Sequence, residues 1–219
     1  LMSAITEQLE QNTQILNELL SQFSGGQEQP QALGPLSKEP DQTLSFLEQE
    51  AMAYFPTFED QANLQITVIP DNAQDSWNLP CLENQALDCH LSRRTLFLNQ
   101  HTTDDQALLY SALSYVGFPG RHYRETYLAH NPDGPLLSLL SLPGWEKGWD
   151  LYGRSYAISF ENGLTPTERR LARLTLSSFL AVHALIDIQV NYYGWNLEDV
   201  AAFLSQQYGL QDKEVAHRL

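Results

Sequence analysis

The sequence predicts a mainly helical α+β fold with a small β-sheet. Most segments place their apolar residues at helical spacing, only two stretches alternate with β-branched content, and no internal repeat or low-complexity run interrupts them. A hydrophobic fraction of 42% over 219 residues supplies one substantial core, or a core with a smaller appendage, and excludes a disordered chain.

From Ser3 to Phe23, Ile5, Leu9, Ile15, Leu16, Leu19, Leu20 and Phe23 fall mainly on one side of a helix. The Gly- and Pro-rich run from Ser24 to Pro40 reads as a linker, so residues 1–40 are an amphipathic helix with its linker and 41–219 the main domain. Asp41 is placed to cap a second helix whose Leu44, Leu47, Ala51, Tyr54 and Phe55 form a stripe ending at Pro56. Leu64 to Ile69 and Thr95 to Leu98 read as strands, with an irregular stretch between them. Thr103 and Gln106 have capping-box spacing, which starts a helix running towards Tyr115 until Pro119-Gly120 breaks it. Further helices are expected over about Arg121 to Ala129 and about Glu146 to Asn162, the second stopping at Gly163. Thr165-Pro166-Thr167-Glu168 opens a long helix to about Val190, apolar on most sides and therefore central. Asn196 and Asp199 open the last, through Tyr208 to Gly209.

Twelve basic against 27 acidic residues give a formal charge of −15, which repels phosphate backbones and anionic headgroups and argues against nucleic acid as a partner. No transmembrane segment and no signal peptide is expected: apolar runs fall short of the ~20 residues that span a bilayer. A first residue of Leu1 rather than Met predicts a chain processed or cut from a longer one. Cys81 and Cys89 could close a small disulfide loop in an oxidising compartment; with Asp88 and His90 they match no specific zinc spacing, and two small apolar side chains in a loop are preferred.

Three motifs in order carry a resemblance: Gly117-Phe118-Pro119-Gly120, then Gly148-Trp149-Asp150-Leu151-Tyr152, then Asp187 to Trp195. They resemble the C-terminal part of the bacterial domain-of-unknown-function 885 family, whose members are similar to zinc peptidases and usually much longer. The resemblance covers roughly Leu64 to Leu210 and implies a zincin-like helical domain, the C-terminal half of a longer chain. In that family the first motif reads close to H-E-G-F-P-G-H and the second E-G-W-x-x-Y-x-E. Imidazoles and a carboxylate there hold the cation while another carboxylate activates its water. This chain has Tyr115, Val116, Arg121, Lys147 and Arg154 at those five positions, so no ligand or base remains. Three of the replacements bring positive charge, and His122, one residue beyond the expected ligand, is rotated by ~100° on a helix. The expectation is no metal, no cofactor and no catalytic residue from this constellation.

Lys147 and Arg154, seven residues apart, share a helix face, and Arg121 could join them in a cationic pocket suited to a carboxylate. The alternative pairs Asp150 with Arg154 and Glu125 with Arg121 at i,i+4 on solvated faces, the commoner arrangement. Trp149, Tyr152, Tyr156 and Phe160 form a stripe explained mostly by core packing, with Tyr152 the member that reaches the cleft by the resemblance. Asn191 and Tyr192 come near the site only by that resemblance; a capped helix end accounts for them as well. His183 reads as a hydrogen-bonded core histidine. The leading expectation is therefore a non-catalytic peptidase-like module that binds peptide or a protein partner. Behind it stand an enzyme with non-metal chemistry using Tyr115, Arg121, Lys147 and Tyr152, and a structural protein that self-associates as a homo-oligomer. The resemblance suggests an extracytoplasmic or envelope location, with the cytoplasm as the alternative.

Overall fold

The computed structural model describes residues 2–24, 39–57, 63–70, 80–82, 93–131, 134, 140 and 142–208. The fold is α+β and mainly helical, with one three-stranded sheet. The chain divides into two compact units, Pro30–Thr165 and Leu1–Gln29 with Pro166–Leu219. This differs from the expected division at residue 40, because the N-terminal helix packs on a helix from the other end of the chain.

The N-terminal helix Met2–Ser24 is α1, and the first described helix of the sheet-bearing unit is α2, Pro40–Tyr54. Asp41 does not cap α2: Glu39 holds the cap position without a side-chain bond, Pro40 occupies the first turn, and Asp41 lies within that turn, where its charge suits the helix dipole. Strands β1 (Asn63–Ile69), β2 (Cys81–Leu82) and β3 (Arg93–Asn99) lie in the order β1-β3-β2. β1 runs parallel to β3, with Asn63 opposite Arg93, and β2 runs antiparallel to it, with Cys81 opposite Phe97. The two-residue period of β3 turns Arg94, Leu96 and Leu98 to one buried side, so a guanidinium enters the core beside two leucines.

After β3 come α3 (Gln100–Asp104) and α4 (Gln106–Val116). Thr103 is not the cap of α4; its hydroxyl donates to the Gln100 carbonyl, while the Asp105 carboxylate accepts from the Ala107 and Leu108 amides at 2.8 and 3.0 Å. A carboxylate bonded to two free amides makes the stronger cap. α5 spans Arg121–His130 and α6 spans Pro143–Ala157, three residues earlier than expected because Pro143 fits the first turn. Asn162, expected within α6, lies in the turn beyond it, before Gly163 at φ 83°. Leu47, Ala51, Leu96, Leu98, Leu109, Leu113, Ala157 and Phe160 form the fully buried centre.

In the other unit, α1 packs on α7 (Pro166–Tyr193), and α8 (Leu197–Tyr208) completes a cluster of Leu9, Val182, Leu185, Ile186, Val200 and Leu204. Asn12, buried between α1 and α7, donates to Ser177 Oγ at 3.1 Å and accepts from Gln8 at 2.9 Å. The Asn196–Asp199 capping box forms reciprocally: Asn196 Oδ1 accepts from the 198 and 199 amides, and Asp199 Oδ2 accepts from the Asn196 amide. α7 belongs to this unit and is not the centre of the sheet-bearing one. By length and composition alone it is apolar enough to cross a membrane, a test that core helices also pass.

Candidate functional site

Residues 117–120 form a sharp turn between α4 and α5, with a cis Phe118–Pro119 peptide. A Cβ on Gly120 would lie 1.9 Å from the Tyr115 carbonyl oxygen, so only glycine permits the chain to fold back onto the end of α4. α6 clasps the turn from the other side. Trp149 Nε1 donates to the Pro119 carbonyl at 3.1 Å, and a Cβ on Gly153 would lie 2.9 Å from that same oxygen. Tyr110 on α4 also donates to the Ala157 carbonyl on α6, at 2.6 Å. The first two motifs are thus two halves of one packing contact.

That contact brings together the positions singled out by their substitutions. Val116 is buried in the core. Tyr115 is half-buried, and the exposed Lys147 places Nζ 5.7 Å from the centre of its ring, a cation–π contact. Arg154 is also half-buried; burial pushes its guanidinium below the usual arginine value, and the nearby Tyr115 phenol acts in the opposite direction. Among the described residues neither Lys147 nor Arg154 forms an ion pair.

The remaining cations are paired. Glu125 on α5 accepts Arg94 from β3 at 2.6 Å and Arg121 at 2.7 Å, with Arg124 3.7 Å away. Arg121 thus takes the i,i+4 partner that the sequence offered as the alternative to a pocket. Asp150 on α6 is 1% exposed and accepts Arg124 Nε at 3.1 Å, so it pairs across helices rather than with Arg154. The two carboxylates respond oppositely. Burial raises both, but Arg94 and Arg121 more than offset it at Glu125 and hold that group below the usual glutamate value. At Asp150 burial prevails over the single bonded guanidinium, with lesser help from Lys147 and Arg121, and its carboxyl stays above the usual aspartate value.

His122 is fully buried, its ring edge-on to Phe118 at 5.2 Å. Tyr152 is 53% exposed and belongs to an aromatic ladder with Trp149 and Tyr156, each 5.9 Å from it. Trp149 stacks in turn on Tyr123, whose hydroxyl donates to the Pro56 carbonyl and is pushed up to about 12, chiefly by burial and then by Tyr127. Asn191 and Tyr192 are in the other unit, where Asn191 bonds Asp187 and Tyr192 is 80% exposed. His183 is half-buried and its Nδ1 bonds the Phe179 carbonyl at 2.8 Å. Cys81 is half-buried in β2; Cys89 and His90 fall outside the described residues. Among the described residues no three His, Cys, Asp or Glu side chains are grouped to hold a metal ion.

No protein-family model matches the chain, and no curated protein matches it. Among solved structures, it is similar to the crystal structure of the "putative lipoprotein" from Colwellia psychrerythraea, with a TM-score of 0.75 and 17% identity, over 100% of this chain and 41% of that one. The likeness is one of fold, and this chain spans less than half of that protein's length.

Proposed function

We propose that this chain is a non-catalytic, metal-free peptidase-like module, similar to the C-terminal half of the domain-of-unknown-function 885 family, that binds a peptide or protein partner. The observation that carries the reading is the convergence of substituted positions. Tyr115 and Lys147 come from different helices to a 5.7 Å contact, with Arg154 near the Tyr115 phenol, yet none of the three is among the usual zinc-ligand types, Cys, His, Asp or Glu. The glycine turn and its seat on α6 account for retention of the motif residues without retention of the reaction. An envelope location goes with this reading, supported by the resemblance and by the lipoprotein designation of the structural neighbour.

The test is metal analysis and peptide hydrolysis on protein purified without added metal, together with peptide retention. The reading expects zinc far below one equivalent, no hydrolysis, and retained peptides. Stoichiometric zinc with hydrolysis lost on Tyr115→Phe or His122→Ala would contradict it. Non-metal catalysis has less support, because Lys147 is exposed and Arg121 is engaged by Glu125. Self-association draws support from exposed Leu142, Trp145 and Tyr152 on and beside α6, and sedimentation distinguishes it.

A further inference from the structure

The sheet-bearing unit contains a half-buried arginine with no counterion among the described residues, in a chain where acids outnumber bases 27 to 12. Desolvating a guanidinium is costly unless an anion compensates, and the nearest sequence candidate, Asp150 one turn before Arg154, is committed to Arg124 at 3.1 Å. Glu125 is committed to Arg94 and Arg121. A second cation, Lys147, lies on the same face of α6 and is held over the Tyr115 ring. Lys147 acts weakly on Asp150, whereas no described acid acts on Arg154.

We infer that Arg154, the Tyr115 hydroxyl and Lys147 form a binding site for a carboxylate group of a peptide ligand. The guanidinium fork receives the two oxygens, the phenol beside it supplies a further donor, and the exposed ammonium draws the anion in. The downward push of burial on Arg154 is relieved when the anion arrives. This rests on the peptide-binding reading above and names the chemical group that the module recognises.

The test is a titration of the full chain, with arginine side chains labelled for NMR, using N-acetyl-alanine as the free-carboxylate probe and N-acetyl-alanine amide as its neutral counterpart. A third probe, N-acetyl-aspartate with its α-carboxyl blocked as the methylamide, presents a side-chain carboxylate. A saturable shift of the Arg154 Nε signal with either acid and none with the amide supports the site, and the better acid identifies the source of the carboxylate. Loss of a charge-assisted bond in Arg154→Met should weaken binding about 10- to 100-fold. Lys147→Gln, at an exposed position, should weaken it about two- to fivefold, an effect that added salt removes. An unmoved Arg154 signal, equal response to the amide, tighter binding of inorganic phosphate, or unchanged affinity in Lys147→Gln would overturn the inference. Should Arg154→Met not fold, the probe comparison and Lys147→Gln still decide. A saturating carboxylate response without peptide retention sinks the module reading alone, whereas peptide retention indifferent to the carboxylate sinks only this one.

Discussion

The sheet-bearing unit treats its cations in two ways. On the α5 side, Arg94, Arg121 and Arg124 are tied to Glu125 and Asp150 at 2.6 to 3.1 Å, and Arg94 and Arg124 are almost wholly buried. On the α4–α6 side, Lys147 lies over the Tyr115 ring and Arg154 near its phenol, and among the described residues neither forms an ion pair. The paired cations hold β3, α5 and α6 together and belong to the fold. The others give the fold little, which is why they carry the functional reading.

The sharpest way to break this contrast is to strip the paired side. Asp150→Asn leaves the Arg124 charge buried and should cost about 3–5 kcal/mol in urea unfolding. A loss under 1 kcal/mol would put Asp150 on the same footing as the uncompensated side. Next comes the clasp that unites both sides: Gly153→Ala drives a Cβ against the Pro119 carbonyl and should cost about 1–3 kcal/mol by thermal unfolding. Acid titration sharpens the contrast further. The Glu125 carboxylate is held low in the fold, so its stabilisation is present above the usual glutamate value and lost as pH falls through the lower folded value. Wild type should therefore lose its advantage over Glu125→Gln in that window, at no more than about 1.4 kcal/mol per pH unit for one proton. Asp150 runs the opposite way: held high in the fold, it favours folding as pH falls towards its unfolded value, and it partly masks the Glu125 slope unless Asp150→Asn is compared. The smallest effect belongs to Lys147→Gln, which should change stability by less than about 0.5 kcal/mol.

The elements whose signals are local were legible in the sequence. The periodic stripe of α1, the alternation of β1 and β3, Pro166 at the start of α7 and the Asn196–Asp199 cap are all complete within a few residues. Helix starts failed where two caps competed: Thr103 and Asp105 both fit, and the carboxylate with two amide bonds prevailed. The division of the chain was illegible because the pairing of α1 with α7 joins segments from opposite ends. At the candidate site, the Arg121–Glu125 pair followed from i,i+4 spacing. Arg94 and Arg124 were missed because their partners come from other elements; the strand alternation that puts Arg94 on the same face as Leu96 and Leu98 was the one available clue. Asn191 and Tyr192 rested on resemblance alone, and they sit in the other unit.

On the proposed reading, Arg154 is kept for a ligand and Arg124 for the fold. Comparing Arg124→Met with Arg154→Met by urea unfolding of the ligand-free chain tests it most directly. The expected loss is about 3–5 kcal/mol for Arg124→Met, which orphans Asp150, and the expected change is within about 0.5 kcal/mol for Arg154→Met, where the methionine keeps the apolar stem. Equal losses in the two variants would contradict it.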